Sequence, residues 1–289
     1  MKKLLKFLNG RFSLKDIGNR SGISADTVGG ICRILSEKGL IVNLPLKSDT
    51  ERVSCKEVYF SRFGNWSEIN AKVENSSVCV VGSGSMAMNV IEEMVSFGLK
   101  RIRTNVEAAA NKKFRNAGKG HARIEYYDVR DDKKWKYFLS KSQLLLLCED
   151  SHNPALTKNI NKICAENGNE WLSCRIVNGM GEIGPTVIPG ITSCYLCYVY
   201  RSISNAEKLK EYVIYDEYEK RNPEILGHLP VFHKIVAQFT AIEAVKILSK
   251  YAEPQSYNSV ISIDFEKTEI DKMPVLRVPN CEGCRKYGI

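Results

Sequence analysis

The sequence of 289 residues lacks any apolar run that approaches the ~20 residues of a membrane-spanning helix. Residues 1–5 are charged and apolar like the start of a signal peptide, but the apolar run ends at Asn9, too early for the core of one. Internal repeats and low-complexity tracts are also missing, which argues against a repeat array or a disordered chain. We therefore expect a globular cytoplasmic protein with no membrane contact, whose ten cysteines stay reduced.

The charge of the chain is strongly positive, with a formal net charge of +9 and a pI near 9.0. Such a balance favours anionic partners without choosing among nucleic acid, nucleotide and acidic peptide. The length allows one large domain or two unequal ones with a substantial core.

Four of the cysteines form two Cys-x-x-Cys pairs, which are Cys194 with Cys197 and Cys281 with Cys284. Each pair presents two thiolates about a turn apart, and two pairs complete a tetrahedral zinc shell at roughly 2.3 Å per Zn–S bond. The alternatives are two unrelated reduced pairs, or disulfides. We predict structural zinc, which would join distant parts of the fold because the segment between the pairs is long.

Residues 1–60 have the pattern of a winged helix. A short helix ends at Asn9, the capping-box sequence of residues 13–16 starts a second helix, and residues 27–38 form a third. Residues 40–44 and 53–60 have strand composition and would form the wing, joined by a polar turn at 47–52. The polar residues 61–77 then have the composition of a linker.

A helix-turn-helix often binds DNA, but the third helix of this chain is poorly equipped for it. The positions that would face base edges hold small or acidic residues, Ala25, Asp26, Gly29 and Gly30. These side chains are poor donors of bidentate hydrogen bonds to bases. From this segment alone, DNA binding and peptide or protein docking stand about level.

The second domain begins with a β-α-β pattern. Residues 78–81 form an apolar strand, residues 88–97 a helix and residues 100–104 a second strand. The turn between them has the G-x-G-x-x-A form, with the fixed positions Gly82, Gly84 and Ala87. In dinucleotide-binding folds this turn aims the free amides of a helix N-terminus at an anion.

The residues after the second strand disfavour a tightly held ribose. An NAD site wants an acidic residue there, whereas this chain has Arg101, Arg103 and Asn105. Further on, a buried strand over 143–148 delivers Asp150 to the carboxyl edge of the sheet, where ligands of such folds bind. Asp150 is therefore a candidate to hold a metal–nucleotide complex. Its alternative role is to cap the predicted helix over 153–166.

The order of features from residue 78 to 284 resembles the ThiF/MoeB/HesA superfamily, relatives of the ubiquitin-activating enzymes. The matching pieces are the glycine turn, the strand ending in Cys148-Glu149-Asp150, the phrase over 184–190, the helix over 229–248 and the second cysteine pair. The closing sequence 274–281 looks most like partner proteins of YcaO cyclodehydratases, which help to make thiazole- and oxazole-containing peptides such as bacteriocins. In that group a winged helix recognises the leader of a ribosomal precursor peptide.

This resemblance implies an α/β fold: a Rossmann-like ThiF-type domain over 78–289 with a four-cysteine zinc site, preceded by the small winged helix. It also implies a homodimer, which the apolar residues of the helix over 229–250 favour. Adenylating members carry acids after the second strand, which are missing here, so we expect weak ATP binding or none. Thioester-forming members need a cysteine between the two pairs, and residues 198–280 contain none.

Three functions then compete. The first is a scaffold without catalytic residues that captures a precursor leader and presents it to a YcaO-type enzyme. The leader would contact a basic and apolar surface of the second and third helices, Arg20, Ile31, Arg33, Ile34 and Lys38. The second is an ATP-dependent adenylating enzyme of the ThiF/MoeB type. The third is a winged-helix DNA-binding regulator. It is the least favoured, because the third helix lacks side chains that read bases, and we therefore expect no nucleic-acid partner.

Overall fold

The computed structural model describes residues 2–41, 54–111, 122–128, 137, 139–150, 153–177, 179–206, 210, 214 and 229–284. The chain divides into two compact units, Met1–Ile69 and Asn70–Ile289. Each unit has its own elements and is described by itself.

The first unit is helical. Its helices are α1 (Lys2–Leu5), α2 (Leu14–Ser21), α3 (Ala25–Glu37) and α4 (Cys55–Phe60). The predicted capping box at the start of α2 is confirmed, because Ser13 Oγ accepts from the Asp16 amide and the Asp16 carboxylate accepts from the Ser13 amide. A small core of Leu4, Ile17 and Val28 lies between the first three helices.

The second predicted strand of the wing, residues 53–60, is wrong. Helix α4 occupies residues 55–60, and Ser54 caps it by accepting from the Glu57 amide at 3.1 Å, while residue 53 lies outside the described residues. The Val, Tyr and Phe residues here have strand propensity, but Glu57 and Phe60 are buried three residues apart, which is helical spacing. Residues 42–44 of the first predicted strand and the 47–52 turn lie outside the described residues. The winged-helix identity of residues 1–60 stays a prediction.

Helix α5 (Trp66–Asn75) occupies most of the predicted linker. Its polar residues are largely exposed, whereas Ile69 and Val73 are buried four residues apart on one face. Asn65, Ser67 and Asn75 are therefore exposed at the ends of this helix, whereas Ser76 and Ser77 are buried and Ser77 begins a strand.

The second unit is built on one sheet of eight strands. They are β1 (Ser77–Ser83), β2 (Arg101–Thr104), β3 (Arg123–Tyr126), β4 (Leu144–Glu149), β5 (Glu170–Val177), β6 (Met180–Val187), β7 (Ser259–Asp264) and β8 (Glu269–Pro274). Their order in the sheet is β3-β2-β1-β4-β5-β6-β7-β8. In this order the neighbours from β3 to β5 pair parallel, and those from β5 to β8 pair antiparallel. The predicted α/β fold is confirmed.

Helices cover both faces of this sheet. They are α6 (Ser85–Phe97), α7 (Glu107–Ala110), α8 (Pro154–Asn167), α9 (Tyr195–Ser204) and α10 (Pro230–Ser249). Helices α6 and α10 pack on each other, and α10 also packs on β5 and β6. Side chains of α8 and α9 join a core cluster with Val81, Leu147 and Trp171 from the strands. No helix among the described residues has the length and apolar character needed to cross a membrane.

Among the described strands, β8 is an edge strand that pairs with β7, and all six of its residues are exposed. The Val275 amide donates to Asn258 O at 2.8 Å, which continues the register of the two strands. Because the backbone groups of successive residues point to opposite sides of a strand, those of Ile270, Lys272 and Pro274 point outward from the sheet. The proline therefore stands at a position where the ladder to β7 needs no amide donor.

Candidate functional site

The four cysteines of the two pairs lie together, with their sulfur atoms all within 4.8 Å of one another. Cys194 Sγ lies 3.9 Å from Cys197 Sγ and 3.6 Å from Cys281 Sγ, and Cys197 Sγ lies 3.6 Å from Cys284 Sγ. A tetrahedral zinc ion with bonds of about 2.3 Å places its sulfurs about 3.8 Å apart. These spacings fit a four-thiolate metal shell.

The disulfide alternative does not fit, because a disulfide needs sulfurs about 2.05 Å apart. All four cysteines are free, and Cys194, Cys197 and Cys281 are buried. The Cys194 thiol donates to Cys197 Sγ, which lowers the pKa of Cys197 to about 4 and raises the pKa of Cys194. The Val278 amide donates to Cys197 Sγ at 3.4 Å. A thiolate is thus favoured at one corner of the cluster.

The surroundings of the cluster fix its geometry. Cys194 is the N-cap of α9, and the buried Asn161 of α8 accepts from the Tyr195 amide at 3.2 Å. On the other side, a Cβ at Gly283 would lie 2.7 Å from Cys194 Sγ, so only glycine leaves room for the second pair to approach.

The closing segment is tied to α9 and to the segment before it by two arginines. Arg201 of α9 donates to Arg277 O at 3.1 Å, and Arg277 donates to Thr192 O, also at 3.1 Å. These bonds hold the second cysteine pair close to the first.

The predicted glycine turn lies between β1 and α6, next to the end of β4. A Cβ at Gly82 would collide with Cys148 O of β4 and would press on Ala87, so these small residues allow α6 to pack close to the sheet. Gly84 has φ +81°, and a Cβ there would collide with the carboxylate of Asp150. The predicted residues Gly82, Gly84, Ala87 and Asp150 are therefore brought together.

Asp150 fills the place where a phosphate would meet this turn. Its Oδ2 accepts from the Ser85 amide at 2.7 Å, and its Oδ1 accepts from the Met86 amide at 2.8 Å. The alternative that Asp150 caps the helix over 153–166 is wrong: Asn153 caps α8 by accepting from the Leu156 amide at 3.0 Å. Asp150 caps α6 instead.

At the position after β2 where an NAD-binding protein carries an acid for the ribose, this chain has Asn105, whose side chain bonds the glycine turn. Asn105 Oδ1 accepts from the Gly82 amide at 2.9 Å. Arg103 is engaged elsewhere, since it bonds Glu125 at 3.1 Å and Ser77 Oγ at 2.6 Å. With no acid for the ribose and a carboxylate on the helix amides, these residues do not fit a tightly held ATP.

Sequence reasoning missed a buried ion pair at the same end of the sheet. Arg175 of β5 is 2% exposed, and its Nε and Nη2 lie 2.8 and 2.7 Å from Glu182 Oε2 of β6. Burial opposes the charge of Arg175, but Glu182 holds the pKa of the guanidinium above its ordinary value. Tyr198 of α9 donates to Glu182 at 3.1 Å, and its ring lies against the guanidinium. The signal in the sequence was an arginine within a strand that is otherwise largely apolar.

The predicted peptide-contacting residues of the first unit differ in their surroundings. Arg33, Ile34 and Lys38 are exposed, Ile34 by 53%. Arg20 is exposed too and lies 4.4 Å above the ring of Phe12. Ile31 is only partly exposed and packs on the small core of the unit.

We predict that Cys281→Ser abolishes zinc binding and destabilises at least the C-terminal region. Structural zinc contributes on the order of 10 kcal/mol to folding, so a large fall in melting temperature is expected. Elemental analysis and thermal unfolding measure the two effects. Cys55→Ser, which changes an exposed cysteine of α4, is the matched control and should keep both metal and stability. Purified wild-type protein without metal, or an unchanged melting temperature, would contradict the prediction.

Comparison with solved structures finds the same fold in proteins of low sequence identity. Escherichia coli MccB with succinimide matches with a TM-score of 0.72 and 18% identity, over 98% of this chain and 89% of MccB. The microcin C7 biosynthetic enzyme MccB in complex with N-formylated MccA matches with a TM-score of 0.68 and 19% identity, over 94% and 86% of the two chains. The heterocyclase TruD gives a TM-score of 0.65 and 18% identity, over 98% of this chain but 38% of TruD.

At the level of sequence, no curated protein matches the chain. The family model of the ThiF family matches residues 107–285, a range that includes both cysteine pairs. Because this range is more than half of the chain, the protein belongs to the ThiF family.

Proposed function

We propose that this protein binds the leader of a ribosomal precursor peptide and presents it to a YcaO-type cyclodehydratase that makes thiazoles or oxazoles. The proposal is supported by the similarity of this fold to solved structures, which covers nearly the whole chain and therefore includes the first unit. TruD, a heterocyclase, matches over 98% of this chain. MccB, a biosynthetic enzyme of microcin C7, matches over a similar share and has been solved with MccA. The closing residues 274–281 resemble the YcaO partner proteins.

The exposed face of α3 is the proposed leader-binding surface. It combines the cations Arg33 and Lys38 with the apolar Ile34. An acidic amphipathic leader would be steered by the cations and held by the apolar side chain, since rim charges act mainly on the rate of encounter. Arg20 adds a further cation on α2. Ile31, which is partly exposed and also packs on the core of the unit, is proposed to add apolar surface beside Ile34.

The metal proposed for the four cysteines is structural zinc. It would join α9 to the closing residues and supply no reactive position, because four thiolates complete its shell. Its part in the function is to hold the second unit in shape.

We predict that Ile34→Ser weakens leader binding about tenfold, since apolar anchors carry most of the energy of such interfaces. Fluorescence anisotropy with a labelled leader from a precursor encoded beside this gene measures the affinity. Ile270→Ser on β8 is the matched control, because Ile270 is 55% exposed and Ile34 is 53% exposed. Arg33→Gln should lower the association rate and its dependence on salt more than it changes the dissociation rate.

Equal loss in both isoleucine variants, or leader binding that survives deletion of residues 1–60, would refute this surface. A random DNA duplex is titrated in parallel. Tight, sequence-dependent duplex binding without leader affinity would favour the DNA-binding regulator.

A second candidate is an ATP-dependent adenylating enzyme. The observation in its favour is that the chain spans 89% of MccB, which has also been solved with ATP. Against it stand Asn105 in place of the ribose acid and Asp150 on the amides of α6.

We predict that the protein catalyses no carboxylate-dependent exchange of pyrophosphate into ATP, because the nucleotide is held weakly or not at all. The assay uses radiolabelled pyrophosphate with the full-length precursor peptide as the carboxylate. The control is the same mixture without peptide. Exchange at ordinary enzyme rates that needs the peptide would establish the adenylating enzyme.

We also propose a homodimer formed through α10. This helix leaves an apolar stripe accessible, in which Val231 is 49% and Ile242 is 37% exposed, with Ile235 and Phe239 partly exposed between them. These four residues follow the spacing of one helix face.

Multi-angle light scattering at micromolar concentration should therefore give twice the chain mass of 32.6 kDa. Ile242→Glu should shift the protein toward the monomer, because it places a charge in the apolar stripe that forms the contact. A wild-type monomer at this concentration would contradict the proposal.

A further inference from the structure

Three amides of the glycine turn and the start of α6 donate to the protein's own side chains. The Gly82 amide donates to Asn105, and the Ser85 and Met86 amides donate to Asp150. Ser85 Oγ also lies 3.2 Å from Asp150 Oδ2. In a dinucleotide-binding fold, the amides at the start of this helix face the phosphates.

The Asp150 carboxylate reproduces the interactions of a bound phosphate group. Its two oxygens accept from consecutive amides at the start of a helix of 13 residues, where the partial positive charge of the helix favours an anion. Gly84 lacks the Cβ that would collide with this carboxylate. The close approach that a glycine usually allows to a pyrophosphate is here used by a side chain of the same protein.

The position of Asp150 is fixed by the contacts of Glu149, the residue before it. Glu149, the last residue of β4, pairs with Ser83 at the end of β1. The Glu149 carboxylate accepts from the Asn153 amide at 3.2 Å and from Thr157 Oγ1 at 3.1 Å, both at the start of α8. Two consecutive carboxylates thus serve the starts of two helices that flank the edge of the sheet.

We propose that Asp150 is a built-in competitor for polyphosphates, which occupies the phosphate position at α6 and keeps nucleotides out. Exclusion of a phosphate group from the amides of α6 then depends on this side chain. A free anion can bind only when the Asp150 carboxylate has left the amides. Its apparent affinity is therefore lower than its intrinsic affinity by the fraction of protein in which these amides are free. This inference does not rest on the proposed peptide-binding function, since it concerns the sheet edge alone.

The test is calorimetric titration of the full-length protein with pyrophosphate and with ATP, first with EDTA and then with Mg²⁺. Asp150→Ala should bind both ligands about tenfold more tightly than wild type without metal, as a favoured competitor of this size would require. Asp150→Asn should lie between the two, because its amide oxygen still accepts but carries no charge. Glu107→Gln is the matched control, since it removes one negative charge just after β2 without touching the amides of α6.

Three results would overturn the proposal. If Asp150→Ala binds MgATP more weakly than wild type, the carboxylate holds the metal ion and does not compete with the phosphates. If Glu107→Gln gains as much affinity as Asp150→Ala, the effect is one of net charge. If no variant binds pyrophosphate or ATP, Asp150 is not what excludes them. Thermal unfolding confirms that each variant is folded. If Asp150→Ala is not folded, the comparison of Asp150→Asn with wild type still tests the proposal.

Discussion

A buried guanidinium sets the constraint on which much of the second unit depends. Arg175, which is 2% exposed, must have a charged partner, because an unpaired charge in the interior costs several kcal/mol. Glu182 provides that partner from β6, and Tyr198 of α9 bonds the same carboxylate. The pair therefore ties two strands to α9, the helix that carries Cys197 and has Cys194 as its N-cap.

The second cysteine pair reaches this place through contacts of its own. Arg201 of α9 donates to the carbonyls of Leu276 and Arg277, and Arg277 donates to Thr192 O in turn. These bonds cross between the tail and the segment before α9. These contacts and a bound metal ion would act on the same two segments, so both would hold the four sulfur atoms at metal-binding spacing.

Local pattern was enough for some features and misleading for others. The glycine turn and the cysteine pairs are defined by short spacings along the chain, and both were recognised in the sequence. Residues 53–60 were assigned wrongly because their side chains favour strands, while burial at helical spacing decided the outcome. The pairing of Arg175 with Glu182, and the approach of Asp150 to Ser85, depend on which strands become neighbours. A single sequence can show a charged residue within an apolar strand, as at Arg175, but it does not show which partner the fold places beside it.

The outward backbone groups of β8 have a consequence for how copies of this protein meet. Two β8 strands from different copies could pair antiparallel about a twofold axis at Ile270, Asp271 or Lys272. With the axis at Ile270, Glu269 of one copy lies opposite Asp271 of the other. With the axis at Asp271 or at Lys272, that residue lies opposite its own copy. Each register places like charges directly opposite each other, which is destabilising, and Pro274 offers no donor. These charges therefore act against the pairing of two β8 edges in these three registers.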